Sequence, residues 1–111
     1  MAAVTTKSAS EDALEEIIRR VVEVAQPERI ILFGSAARGD MGPNSDVDLL
    51  VVKRGEFDRG TLTEDIYQRL YGVGQAVDVV VVTPEQVARY RNTHWMVIAP
   101  ALREGREVYH S

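Results

Sequence analysis

The segment that decides the fold is FGSAARGDMGPNSDVDLLVV, which runs from Phe33 to Val52. The apolar run Arg29–Phe33 leads into it and is predicted to be a buried strand, because it is rich in β-branched and other apolar residues. Residues 34–45 are rich in glycine, serine, asparagine and proline, which is typical of a loop. A second strand is predicted over Asp46–Val52, so Asp46 and Asp48 stand at its beginning.

A helix is predicted before the first strand. Its N-cap is Ser8, in a capping box with Glu11, or alternatively Ser10. Pro27 ends it. The apolar residues that recur at helical spacing between these limits are Leu14, Ile17, Ile18, Val21 and Ala25.

Helices and strands continue to alternate after the second strand. The next helix is predicted to open at Thr61 or Thr63 and to close at Gly72 and Gly74, and a strand follows over Ala76–Val82. A further helix has Thr83 as N-cap and a capping box completed by Gln86. The last predicted elements are a helix from about Trp95 to Glu104, bent or broken at Pro100 and C-capped by Gly105, and a short edge strand over Arg106–Tyr109. This order predicts an α/β (α+β) fold, with a flexible leader at 1–8 and a single domain at 9–111.

Size and composition limit the classes of function. The 111 residues are enough for one compact core. A net charge of −4 offers no broad electrostatic attraction for nucleic acid, and the apolar runs are too short to span a membrane. The absence of cysteine excludes disulfides and thiolate metal ligands. These features predict a small soluble domain of the cytoplasm.

Asp46 and Asp48 are candidate cation ligands. Residues two apart on a strand point to the same face, so their carboxylates lie side by side and repel each other. A divalent cation removes this repulsion, and oxygen ligands without cysteine suit Mg²⁺, or Mn²⁺, better than zinc. The alternative is that these aspartates are only the polar beginning of a strand.

Asp78 favours the cation site. It interrupts the apolar run Ala76–Val82, which is expected to be well buried, and an unpaired buried carboxylate is costly. The helical connection before this strand predicts that it lies parallel to the second strand. Asp48 and Asp78 would then face each other, about 5 Å apart. The alternative is a salt bridge from Asp78 to Arg38 or Arg29.

Gly34 and Ser35 are predicted to bind phosphate, because a sharp exit from a strand presents backbone N–H groups to an anion. Arg38, one helical turn after Ser35, is placed to reach the same phosphate. The segment is neither a Walker loop nor a dinucleotide motif, and a plain glycine-rich turn is the alternative. If this loop faces the carboxylates, the first two strands are antiparallel and the sheet is mixed. Such a site is equipped for metal-assisted phosphoryl or nucleotidyl transfer.

The combination of Gly34-Ser35, Asp46-x-Asp48 and a separate Asp78 resembles the nucleotidyltransferase superfamily of DNA polymerase β. It is similar in particular to the minimal, single-domain prokaryotic members (MNT domains), which are often encoded beside a helical HEPN partner. The similarity is strong over Ile30–Val82. It implies a palm-like fold, in which a mixed sheet is flanked by helices.

The resemblance also implies a reaction, in which a nucleoside monophosphate, AMP from ATP, passes to a hydroxyl group and pyrophosphate leaves. It implies that Asp46 and Asp48 hold two Mg²⁺ ions, that Asp78 completes the second metal site and orients or deprotonates the hydroxyl, and that Gly34, Ser35 and Arg38 bind phosphates. Some minimal members nucleotidylate a HEPN toxin on tyrosine, so a HEPN-type protein is the expected partner. The alternative function is a non-catalytic, antitoxin-like module that masks such a partner, and a homo-oligomer also stays open.

Other residues are assigned no chemistry. The tyrosines of the predicted helices are interpreted as packing residues, with base stacking as the alternative: Tyr67, Tyr71 and Tyr90. The apolar segment 95–98 either completes the core or forms an interface.

Overall fold

Helices alternate with the strands of one sheet. A computed structural model describes residues 9–34, 46–90 and 98–111 of the chain. The elements are, in order, α1 (Ala9–Ala25), β1 (Arg29–Phe33), β2 (Val47–Val52), α2 (Arg59–Leu70), β3 (Val77–Val82), α3 (Pro84–Tyr90), α4 (Ile98–Glu104) and β4 (Arg106–His110).

The sheet is mixed, as the sequence predicts. Its strand order is β3-β2-β1-β4. The pairs β1–β2 and β1–β4 are antiparallel, whereas β2 and β3 are parallel. The helix-containing connection between β2 and β3 therefore joins parallel neighbours, as expected, and β2 runs back beside β1.

Each face of the sheet is covered by two helices, because the strands are apolar on both sides. The first face packs against α1 and α2, and its buried strand residues are Ile30, Leu32, Val47, Leu49, Val51, Val79 and Val81. The second face packs against α3 and α4, and its buried strand residues are Ile31, Leu50, Val52 and Val82.

Most element boundaries lie close to the predicted ones. The strand β1 has the predicted limits, while β2 and β3 each begin one residue later than expected, at Val47 and Val77. The helix α1 ends at Ala25, two residues before Pro27, and the intervening Gln26 has a positive φ of 47°. The N-cap residue Ser8 lies outside the described residues.

The predicted start of α2 is wrong. The helix begins at Arg59, and its N-cap is Asp58, whose carboxylate accepts a hydrogen bond from the Thr61 N–H. Thr61 therefore lies inside the first turn rather than before it, because an aspartate three residues earlier satisfies its backbone donor. By contrast, the predicted capping box of α3 is confirmed by reciprocal bonds between Thr83 and Gln86 at 3.0 and 3.1 Å.

The C-terminal elements also agree with the sequence. The Gly105 N–H donates to the Ala101 carbonyl oxygen at the end of α4, and β4 forms an edge strand beside β1. The predicted first turn of α4, at 95–97, and the leader at 1–8 lie outside the described residues. Among the residues described, none of the helices has the length and apolar content needed to cross a bilayer.

Candidate functional site

The candidate site lies at the end of the sheet where β1 ends and β2 and β3 begin. Asp48 is opposite Asp78 in the parallel pair and opposite Phe33 in the antiparallel pair. The Val47 N–H donates to the Ala76 carbonyl oxygen at 2.9 Å, so the two parallel strands are joined from their first residues. This register brings residues from three strands together at one end of the sheet.

Asp48 and Asp78 point to the second face of the sheet, because side chains alternate along a strand. Leu50 follows Asp48 on that face and Val82 follows Asp78, and both pack against α3 and α4. The two carboxylates thus lie on the second face at the end of the sheet where β2 and β3 begin, next to the apolar residues of that face. Asp48 is half-buried there, while Asp78 and Asp46 are exposed.

Gly34 makes room for the Asp48 carboxylate. It follows β1 directly with a φ of +75°, a conformation that residues with a side chain rarely adopt. A Cβ atom at this position would overlap Oδ2 of Asp48 and would lie 3.3 Å from its Cγ. The position therefore favours glycine for two reasons, its backbone conformation and the carboxylate packed against it, which a Cβ atom would displace.

Burial and neighbouring charge act together on Asp48. Burial raises the pKa of this carboxyl above its ordinary value of 3.8, and the neighbouring charges of Asp78 and Asp46 raise it further. The carboxyl groups of Asp48 and Asp78 are also close enough to share a hydrogen bond. Negative charge is thus concentrated at one point without a described cation to balance it.

The expectation that Asp78 is buried is wrong. The side chain is exposed, because β3 is the edge strand and Asp78 is only its second residue, at the open end of the sheet. The alternative salt bridge with Arg29 is also excluded. Arg29 lies at the opposite end of β1, where its Nε is 2.6 Å from Oε1 of Glu107.

The residues present suit a divalent cation by their chemistry. Asp46, Asp48 and Asp78 offer only carboxylate oxygens, the ligands that Mg²⁺ prefers. As the side chains stand in the described ranges, no group of three or more acidic, histidine or cysteine residues is already arranged to hold a metal ion. Asp48 and Asp78 instead lie in contact with each other.

Of the three predicted phosphate ligands, the structure describes one. Ser35 and Arg38 lie outside the described residues, and so does the rest of the loop up to residue 45. Gly34 is described, and it lies directly beside Asp48.

Tyr67 makes a contact at the site's edge strand that the sequence did not indicate. Its hydroxyl accepts a hydrogen bond of 2.8 Å from the N–H of Val79, the residue after Asp78. The helical pattern of α2 predicted only packing for Tyr67, and nothing in the sequence relates this hydroxyl to β3. Tyr71 is 89% exposed, so the prediction that it packs on the helix is wrong.

Comparison with known proteins bears on this site. A family profile described as a nucleotidyltransferase domain matches residues 14–106. A protein from Methanocaldococcus jannaschii, assigned as a protein adenylyltransferase, is 34% identical over 82 residues, which are 74% of this chain and 78% of that protein. These two matches confirm the resemblance and the expectation of a transferase.

Two crystal structures share the fold. One, assigned as a nucleotidyltransferase from Sulfolobus solfataricus, has a TM-score of 0.53 and 22% identity, over 97% of this chain and 93% of that chain. The other, a toxin-antitoxin with AMP-PNP, has a TM-score of 0.55 and 22% identity, over 87% of this chain and 73% of that chain. At this identity, the likeness confirms the mixed-sheet fold.

Proposed function

The chain belongs to the nucleotidyltransferase domain family, and we propose that it transfers AMP from ATP to a hydroxyl group, with release of pyrophosphate. The observation that carries this proposal is the pairing of Asp48 with Asp78 in parallel strands, directly beside Gly34. A structural role alone would not favour this arrangement, because like charges that are brought together destabilise the fold.

A divalent cation, Mg²⁺ or Mn²⁺, is the proposed cofactor, held by Asp46, Asp48 and Asp78. When bound, it neutralises the triphosphate and stabilises the charge that develops on the leaving pyrophosphate. Burial raises the pKa of Asp48, and the neighbouring charges of Asp78 and Asp46 raise it further; a cation would relieve the repulsion among these three carboxylates.

The remaining roles are assigned to residues of this chain. Gly34 and Ser35 are proposed to hold the terminal phosphates through backbone and hydroxyl donors, with Arg38 as a further phosphate ligand. The acceptor oxygen attacks the α-phosphorus, the bond from that phosphorus to the bridging oxygen breaks, and pyrophosphate departs. Asp78 is proposed to orient the acceptor hydroxyl and take its proton, because it is exposed and lies next to Asp48.

The proposed acceptor is a hydroxyl group of a partner protein in the cytoplasm, a helical protein of the HEPN type. Two similarities support a protein acceptor. One relative is named as a protein adenylyltransferase, and one structure of the same fold is a toxin-antitoxin with AMP-PNP.

The test is transfer of the α-phosphate of labelled ATP. The protein is incubated with Mg²⁺, ATP labelled at the α-phosphate and an extract of its own host cells, and labelled proteins are separated by electrophoresis. We expect a labelled band with the wild type and none with Asp48→Asn. If the wild type leaves no label while still binding a partner from the extract, the non-catalytic masking function replaces the proposal.

A further inference from the structure

The strand that carries Asp78 is exposed along one side. Among the described strands, β3 lies at the edge of the sheet and pairs with β2 alone. The backbone groups of its even-numbered residues point toward β2, since the carbonyl oxygens of Ala76 and Val82 accept hydrogen bonds from the Val47 and Lys53 N–H groups at 2.9 Å each. The backbone N–H of Val79 therefore points away from the sheet, where no described strand pairs with it.

Tyr67 supplies the missing partner for this N–H group. Its hydroxyl oxygen lies 2.8 Å from the Val79 nitrogen and accepts its hydrogen bond. Tyr67 follows the buried Ile66 in α2, and its side chain is 41% exposed. The ring thus lies at the rim of the first face, with its hydroxyl group against the edge of β3.

We infer that the Tyr67 hydroxyl is a positioning group for Asp78 in the metal-binding step, an inference that rests on the proposed function. The bonded N–H belongs to the peptide that joins Asp78 to Val79. Its hydrogen bond fixes this peptide from the outer side, while the pairing with β2 fixes Asp78 from the inner side. Tyr67 belongs to α2, which packs on the face opposite the carboxylates, so it acts as a positioning residue and is not one of the proposed metal ligands.

This bond matters because Asp48 and Asp78 lie opposite each other on neighbouring strands, and both must keep this register to bind one cation. An edge strand held on one side only can move away from its neighbour, which would separate the two ligands. The bond from Tyr67 opposes that movement. Groups that hold a metal ligand in place commonly affect metal affinity by about tenfold or more when removed.

The experiment uses Tyr67→Phe, which keeps the ring and removes only the hydroxyl. Hydrogen exchange by NMR reports on the Val79 N–H, and titration with Mn²⁺ alone, followed by the EPR signal of the free ion, gives the dissociation constant. We expect faster exchange at Val79 and a dissociation constant for Mn²⁺ raised about tenfold. In the wild type, Val79 should exchange more slowly than Val77 and Val81, whose N–H groups face the same way.

Two control variants separate positioning from general effects. Tyr71→Phe removes a hydroxyl group four residues along the chain from an 89% exposed side chain, and it should change neither readout. Ile17→Val weakens the packing of α1 in the buried core and lowers stability, while it retains both the Tyr67 hydroxyl group and the Val79 N–H. It should lower the melting temperature yet leave the Mn²⁺ affinity unchanged.

The results distinguish a failure of the role of Tyr67 from a failure of the proposed nucleotidyltransferase function. If Tyr67→Phe speeds exchange at Val79 but binds Mn²⁺ as the wild type does, Tyr67 is merely structural and the inference fails, while the proposed function stands. Unchanged exchange at Val79 overturns the inference as well. If the wild type binds no Mn²⁺, the proposed metal site fails, and the role of Tyr67 fails with it.

Discussion

The variant Asp48→Asn tests whether Asp48 binds a cation or stabilises the fold through an ion pair. In the wild type, Asp48 is half-buried between the charges of Asp46 and Asp78, and burial with these charges raises its pKa. The asparagine has nearly the same shape and no charge. The metal-free variant should therefore be more stable than the wild type, even though it loses a ligand that the proposed reaction requires.

The size of the gain follows from Coulomb's law. Two unit charges about 4 Å apart, near the separation of carboxylates in contact, repel by about 1 kcal/mol in water and by about 4 kcal/mol at an effective dielectric constant of 20. Because Asp78 is exposed, the lower part of this range applies. A gain of about 1 kcal/mol raises the melting temperature by roughly 4–8 °C in a domain near this size.

The assay is thermal denaturation at neutral pH, with and without saturating Mg²⁺ and ATP. A ligand present at 100 times its dissociation constant stabilises the wild type by about 2.7 kcal/mol, and Asp48→Asn should lose most of this gain. Asp65→Asn makes the same change of charge in α2 and should retain the full ligand response. If Asp48→Asn instead unfolds or melts well below the wild type without ligand, Asp48 belongs to a structural ion pair and the reasoning is refuted.

Three further predictions test other parts of the structure. Gly34→Ala should weaken Mn²⁺ binding, because its Cβ displaces the Asp48 carboxylate, whereas Gly72→Ala, at a φ of +84° with open space around it, should show only the backbone strain of about 1–2 kcal/mol. Because the pKa of Asp48 is raised in the folded state, it contributes stability that is fully present below the ordinary value of 3.8 and is lost as pH rises through the raised value. The melting temperature of the wild type should therefore fall over this pH range, and that of Asp48→Asn should not. Thr83→Ala should lower stability by about 1 kcal/mol in chemical denaturation, while Thr83→Ser should not, because only the serine retains an oxygen for the Gln86 N–H. Metal binding unchanged in Gly34→Ala, a pH profile shared by the wild type and Asp48→Asn, or equal losses in the two Thr83 variants would contradict the respective argument.

Local patterns were sufficient for most of the fold. The limits of β1 and the capping box of α3 depend on residues adjacent in sequence, and both were predicted correctly. The antiparallel pairing of β1 with β2 was predicted because the loop that begins at Gly34 can face the carboxylates only if these strands are antiparallel. The start of α2 was missed because both Asp58 and Thr61 are good N-cap residues, and only the folded backbone selects between them.

The environment of the site was harder to predict. The apolar run Ala76–Val82 indicated a buried strand, but exposure depends on strand order, and the pairing of β4 with β1 leaves β3 at an edge. Asp78 is consequently exposed. The bond from Tyr67 to Val79 joins residues 12 apart through tertiary packing, which no local periodicity encodes.

The central claim is that Asp48 and Asp78 bind one divalent cation together beside Gly34. Anomalous scattering from Mn²⁺, in crystals grown with a non-hydrolysable ATP analogue, locates the ion directly. We expect an anomalous peak within about 2–2.5 Å of carboxylate oxygens from both residues, with the phosphates of the analogue on the side of Gly34. A peak that contacts neither carboxylate, or an analogue bound at the opposite end of the sheet near Arg29, would contradict it.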